Sequence, residues 1–162
     1  MPSGKRSKEL VYFEDRGGVY DAPIDVVWDY IVSHNEYHAK AHHATLRNMK
    51  WKDINEITGE GTCEVMRGGR FTKMRFRLTT VPPFVRIVEE FEGRYAGQKM
   101  VLLYTPKGKK TGIDVFVLTP KEVAAEMRET LANSHNEDVP MIRAFARRKS
   151  RIRADKSGGA GA

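Results

Sequence analysis

Between Thr45 and Leu118 the chain runs through RNMKWKDINEI, GTCEVMRG, FTKMRFRLTTV, FVRIVEEFEG, KMVLLYTP and TGIDVFVLTP, divided only by Gly, Pro and short polar turns. These segments are rich in β-branched and aromatic residues and read as strands. Parallel neighbours need helical crossovers of a dozen residues or more, and no gap here is long enough. The strands must therefore form an antiparallel meander. FTKMRFRLT shows a half-buried strand, with Met74, Phe76 and Leu78 on one face and Lys73, Arg75 and Arg77 on the other. Pro82-Pro83 and the glycines at 59, 61, 93, 97, 108 and 112 mark the turns, and PKGKKTG reads as a polar hairpin loop.

The flanks supply the other layer. Leu10 to about Tyr20 reads as a first strand, with Gly17-Gly18 as a bulge or bend. In DAPIDVVWDYI, Asp21 suits an N-cap and Pro23 a first helical turn, while Ile24, Val27, Trp28 and Ile31 recur at helical spacing. Ser33 to Glu36, SHNE, has the pattern of a capping box opening a second short helix. After Leu118 the helical period returns. Thr119-Pro120-Lys121-Glu122 forms another capping-box pattern, followed by the stripe Val123, Met127 and Leu131. A second SHNE, Ser134 to Glu137, precedes Val139, Ile142, Phe145, Ala146 and Ile152. Pro140 sits early in a new helix or kinks a long one.

The expected class is α+β: a curved antiparallel sheet of about seven strands, two short helices after the first, and a long C-terminal helix across the sheet. Residues 1–9 are expected to be a polar tail, 10–153 one domain, and 154–162, ending in SGGAGA, a disordered tail. A strongly bent sheet and one helix leave space between them, so the arrangement predicts a small-molecule cavity. Met74, Phe76, Leu78, Phe91 and Leu103 are its expected strand walls, with Ile142 and Phe145 from the helix.

Composition narrows the setting. The single Cys63 forms no internal disulfide and builds neither a thiolate zinc site nor an iron–sulfur cluster, which predicts a reducing, cytoplasmic environment. MPSGKRSKEL lacks the apolar run of a signal peptide, and no stretch is apolar for a membrane-spanning length. The net charge of +7 is unevenly spread. Lys5, Arg6 and Lys8 against Glu9 leave +2 at the start, and seven bases from Arg143 onward against Asp155 leave +6, so residues 10–142 carry −1. Basicity at the ends argues against a whole-surface nucleic-acid binder. Arg147, Arg148, Lys149, Arg151 and Arg153 are the expected contact if an anionic membrane or nucleic acid is a partner, although no aromatic residues interleave with them.

Four of the five histidines fall in HNEYHAKAHH, residues 34–43. His34, His38 and His42 are four apart and share a face on a helix, but three successive turns spread too far for one ion to touch all of them. The reading of this stretch is a pocket mouth, with Tyr37, His38 and His42 gating or hydrogen-bonding a ligand and no metal or other cofactor bound. Glu89 shares the Val85, Ile87 and Phe91 face of its strand. If that face is inward, Glu89 is a ligand anchor or an acid/base group; a bulge or register slip would put it in water. Asp114, on the face of Phe116 and Leu118, carries the same ambiguity.

The order of elements, with DAPIDVVWDYI, EYHAKAHH, FEGRYAG and YTPKGKKTGIDVFV, resembles the START-like (SRPBCC, polyketide cyclase-like) superfamily over Leu10 to Arg153. The resemblance implies the helix-grip fold. It also implies binding of a lipid, isoprenoid or aromatic polyketide between sheet and helix, with cyclisation, dehydration or hydrolysis there in a minority of members. The superfamily includes ring-hydroxylating oxygenases that hold iron with two histidines at H-x4-H, often after Tyr, and a helix carboxylate. Their pattern falls here on Tyr37, His38, His43 and Asp138. Asn35 stands where those enzymes carry Asp, and one cysteine holds no Rieske cluster. The leading expectation is therefore binding of a small hydrophobic ligand, with an enzyme using the same cavity as the alternative.

Overall fold

The computed structural model describes residues 7–32 and 44–158. Its elements run β1 Leu10–Tyr20, α1 Ile24–Val32, β2 Leu46–Asp53, β3 Thr58–Arg67, β4 Arg70–Val81, β5 Val85–Glu90, β6 Lys99–Lys107, β7 Lys110–Pro120 and α2 Ala124–Gly158. Every neighbouring pair is antiparallel, in the order β1-β7-β6-β5-β4-β3-β2. Six strands, β2 to β7, follow one another as the meander that the short turns demanded, while β1 lies at the far edge beside β7. The second short helix expected after α1 falls in residues 33–43, outside the described part.

The two faces of the sheet are unlike. Residues directly opposite across an antiparallel pair share a face. Cys63↔Met74, Leu78↔Val88, Val88↔Met100, Leu102↔Val115 and Val117↔Phe13 therefore line one concave surface. Against it packs α2, with Met127 and Ile142 buried, and α1, with Val27, Tyr30 and Ile31 buried. Tyr30 joins the two helices: its ring meets Phe145 edge-on at 5.6 Å, and its hydroxyl donates to Met141 Sδ at 3.7 Å.

Glycine sets the curvature where β3 passes under two aromatic rings. A Cβ on Gly59 would lie 2.1 Å from the Trp51 ring, and one on Gly61 would lie 2.6 Å from Phe76. The missing side chains let Trp51 and Phe76 lie across β3, with ring centres 6.0 Å apart.

Several local expectations are corrected. The first helical bond of α1 runs from the Val27 N–H to the Pro23 carbonyl, so the helix starts past Asp21. Thr119 does not cap α2; its buried hydroxyl donates to Gln98 Oε1 at 2.7 Å. The second SHNE starts no new helix. Ser134 to Pro140 lie inside one 35-residue helix, which absorbs Pro140 at the cost of one backbone bond and continues past Arg153 to Gly158.

Candidate functional site

The concave face and α2 do not meet everywhere. Between them lies a chamber of about 230 Å³ floored by Cys63, Val65, Met74, Phe76, Leu78, Val88, Met100 and Leu102. Met127, Thr130, Leu131 and Asp138 of α2 close it from above. Leu46 and Met49 of β2 edge it, and Thr45 donates to Glu137 across the gap from sheet to helix. Its mostly aliphatic and thioether lining suits a small apolar body.

A buried ion pair closes one end. Arg67 donates to both Glu90 oxygens, at 2.7 and 2.9 Å, and both side chains are almost fully buried. Gln98 Nε2 donates to the same carboxylate at 3.2 Å, and the Tyr95 ring lies 3.9 Å from the guanidinium centre. Burial pushes the Glu90 carboxyl above its ordinary value, against the pull of Arg67. Tyr95 in turn donates to Glu126, which, with burial, pushes the phenol up to about 12 and holds Glu126 below its ordinary value.

A second chamber, of about 320 Å³, opens on the other side of Arg86 beneath the β1 bulge. It shares Arg86, Leu102, Leu131, Ser134 and Asp138 with the first and adds Tyr20, Tyr104 and His135. Gly17, at φ 81°, makes the bulge, and its N–H donates to Asp114 at 2.9 Å. The Tyr20 and His135 rings meet at 4.9 Å, tilted by 35°. Tyr104 lines this chamber beside Arg86, and burial pulls the guanidinium pKa down from a value so high that the charge is retained. Burial also pushes Tyr104 up to about 12 and Tyr20 well above its ordinary value.

Met74, Phe76 and Leu78 lie on the first chamber's floor. β5 takes the register that turns Glu89 outward, one of the two its sequence allows. Glu90 faces Phe76 and Val88 faces Leu78, so Arg86, Val88 and Glu90 point inward. Glu89, the expected anchor or acid/base group, lies on the outer face, 3.3 Å from Lys99. Phe91 and Leu103 are exposed on that same side and line neither chamber. Asp114 also faces outward, clamping the bulge. Ile142 and Phe145 pack in the core beside α1. Tyr37, His38, His42 and His43 lie outside the described residues, while Asp138 lines both chambers. Among the described residues no cluster of His, Cys, Asp or Glu is placed to hold a metal. Of the expected anionic-surface contacts, Lys149 pairs with Asp29 and Arg153 lies 4.0 Å from Asp25, whereas Arg147, Arg148 and Arg151 are exposed.

Sequence reading missed Arg86 and the Arg67–Glu90 pair. The available signal was the i, i+4 placement of Arg86 and Glu90 around Val88, which reads equally well as a wet strand face.

This architecture is the START-like, helix-grip fold. It is similar to the Zhui aromatase/cyclase from Streptomyces sp. R1128, with a TM-score of 0.69 at 12% identity over 88% of this chain and 96% of that one. It is similar also to Ara h 8.0201, at 0.65 and 9% over 84% and 99%. Norcoclaurine synthase from Thalictrum flavum, in complex with dopamine and hydroxybenzaldehyde, matches at 0.56 and 10% over 84% and 87%. No protein-family model and no curated protein sequence matches the chain. Among the described residues no helix is long and apolar enough to cross a membrane.

The buried acids make alkaline pH the vulnerable side. Cys63 is 4% exposed, and burial pushes its thiol from 9.0 up to about 11. Cys63, Tyr20, Tyr95 and Tyr104 all hold their protons more tightly folded than unfolded, so their contribution is full below the ordinary values and is lost as pH rises through the folded ones. Ionising Cys63 in place costs ~3 kcal/mol. Thermal melts between pH about 8 and about 11 should show a falling Tm, with phenolate absorbance appearing together with unfolding. A flat Tm with gradual phenolate titration would contradict this.

Proposed function

We propose that the protein binds a small hydrophobic or amphipathic molecule in the cleft between the concave face of the sheet and α2. The observation that carries this reading is the apolar chamber itself. Met74, Phe76, Leu78, Val88, Met100 and Leu102 converge on a space that α2 covers without filling. Such a hollow forfeits dispersion contacts on every wall, and a ligand of matching shape restores them. Relatives of the same fold that bind or transform small aromatic molecules support the reading.

A second reading, an enzyme of cyclase type in the same cleft, is favoured by one observation. The second chamber places Tyr104, Tyr20, His135 and Asp138 beside Arg86 and next to the apolar wall. These groups, in place of the outward-facing Glu89, supply proton-transfer chemistry within reach of a bound molecule.

Titration with an uncharged naphthalene ester, methyl 2-naphthoate, tests the binding reading. One-to-one saturable binding is expected, and no binding up to the solubility limit would sink it.

A further inference from the structure

Arg86 is a cleft-lining cation whose Nε–H the described residues leave open. Arg86 is 8% exposed, is shared by both chambers, and its Nε–H finds no hydrogen-bond partner among the described residues. A buried donor without a partner carries its full desolvation penalty, and more so when it is charged. Arg67, the other buried guanidinium, has an unpartnered Nε as well, but a bidentate carboxylate already balances its charge. Among the described residues Arg86 has no such bidentate partner. It shares the second chamber's lining with the neutral Tyr104 hydroxyl and feels the Asp138 carboxylate through space.

We infer that Arg86 is the anchor for an acidic oxygen of the ligand, and that the ligand class is an apolar, ring-sized body carrying one carboxylate or comparably acidic enol or phenol. The apolar body occupies the chamber over Met74 and Phe76, and the acidic oxygen sits at the junction, accepting from the Arg86 Nε–H. Asp138 faces the same junction, so a ligand with one acidic group fits better than one with two. The inference rests on the cleft being a ligand site, and the placement of one unsatisfied cation between an apolar and a polar chamber carries it. A planar guanidinium fork suits a carboxylate in a way that a lysine ammonium does not.

The test uses a matched pair, 2-naphthoate and methyl 2-naphthoate, against the full chain. The wild type should bind the acid about tenfold or more tighter than the ester, as a charge-assisted hydrogen bond implies. Arg86→Met should erase that preference. Should Arg86→Met fail to fold, nitrogen NMR of the wild type keeps the question open to refutation. The Nε–H resonance of Arg86, assigned by its loss in Arg86→Lys, should move with the acid and not with the ester. Equal affinity for acid and ester in the wild type, a preference that survives Arg86→Met, or an unmoved Nε–H resonance would overturn the inference while leaving the cleft as a binding site. Failure of both probes to bind would overturn the binding reading with it.

Discussion

Glu90→Ala should be among the most damaging substitutions outside the apolar core, lowering stability by about 3–5 kcal/mol. The carboxylate is 2% exposed and accepts from Arg67 twice and from Gln98 once. Deleting it leaves the Arg67 guanidinium buried without a counter-charge, and the Tyr95 ring stacked on it offsets only part of that cost. For a chain of this length the loss corresponds to a fall in Tm of about 10 °C or more. Removing both charges is a different experiment. Arg67→Met with Glu90→Leu fills the same space with apolar atoms and should recover most of the loss, because the pair's mutual attraction is largely spent on its own desolvation. The recovery stops short of complete, since Gln98 then loses its acceptor. Chemical denaturation of the single and double variants checks both statements. A single variant within about 1 kcal/mol of wild type would show that the pair is not the buried ionic contact described here.

Ile142→Ala should cost about 2–5 kcal/mol, the range for truncating a large aliphatic side chain in a packed core. Ile142 is 1% exposed and belongs to the cluster that locks α2 onto α1 and the sheet, whereas Ile152, ten residues further along the same helix, is 56% exposed. Ile152→Ala should therefore change stability by less than about 0.5 kcal/mol. The pair separates the part of α2 that holds the fold from the part that extends past it. Ile142 lines neither chamber, so a refolded Ile142→Ala sample should keep wild-type affinity for methyl 2-naphthoate; equal destabilisation by the two substitutions would contradict the packing.

Legibility in the sequence followed the strength of local patterning. The meander between Thr45 and Leu118 was legible because Gly and Pro leave no room for crossovers, and Met74, Phe76 and Leu78 were legible because charges alternate with them without exception. β5 was not. Val85, Ile87 and Phe91 outnumber Val88, so the apolar majority lies on the outer face, and a shift of one residue reverses every side chain. What fixes the true register is long-range: Arg67 on β3 draws Glu90 inward, and Phe76 and Leu78 stand opposite Glu90 and Val88. Sequence spacing carries no trace of that pairing. Capping boxes misled for a related reason. At Ser134 the tertiary packing of a continuous helix overrides a local stop-and-start pattern, and at Thr119 the hydroxyl is committed to Gln98. The tyrosines of the second chamber were invisible because Tyr20 and Tyr104 lie 84 positions apart and meet only when β1 closes onto β7.

The central claim is that the unfilled space between sheet and α2 is the ligand site, and filling it from within tests that most directly. Leu131 stands on α2 at the junction of both chambers. Leu131→Trp places an indole where the ligand's apolar body would lie. Methyl 2-naphthoate titrated against wild type and variant, with melts recorded in parallel, should show one-to-one binding to the wild type. The folded variant should show a loss of about tenfold or more. Equal binding to both, with the variant's Tm preserved, would place the ligand elsewhere and contradict the account.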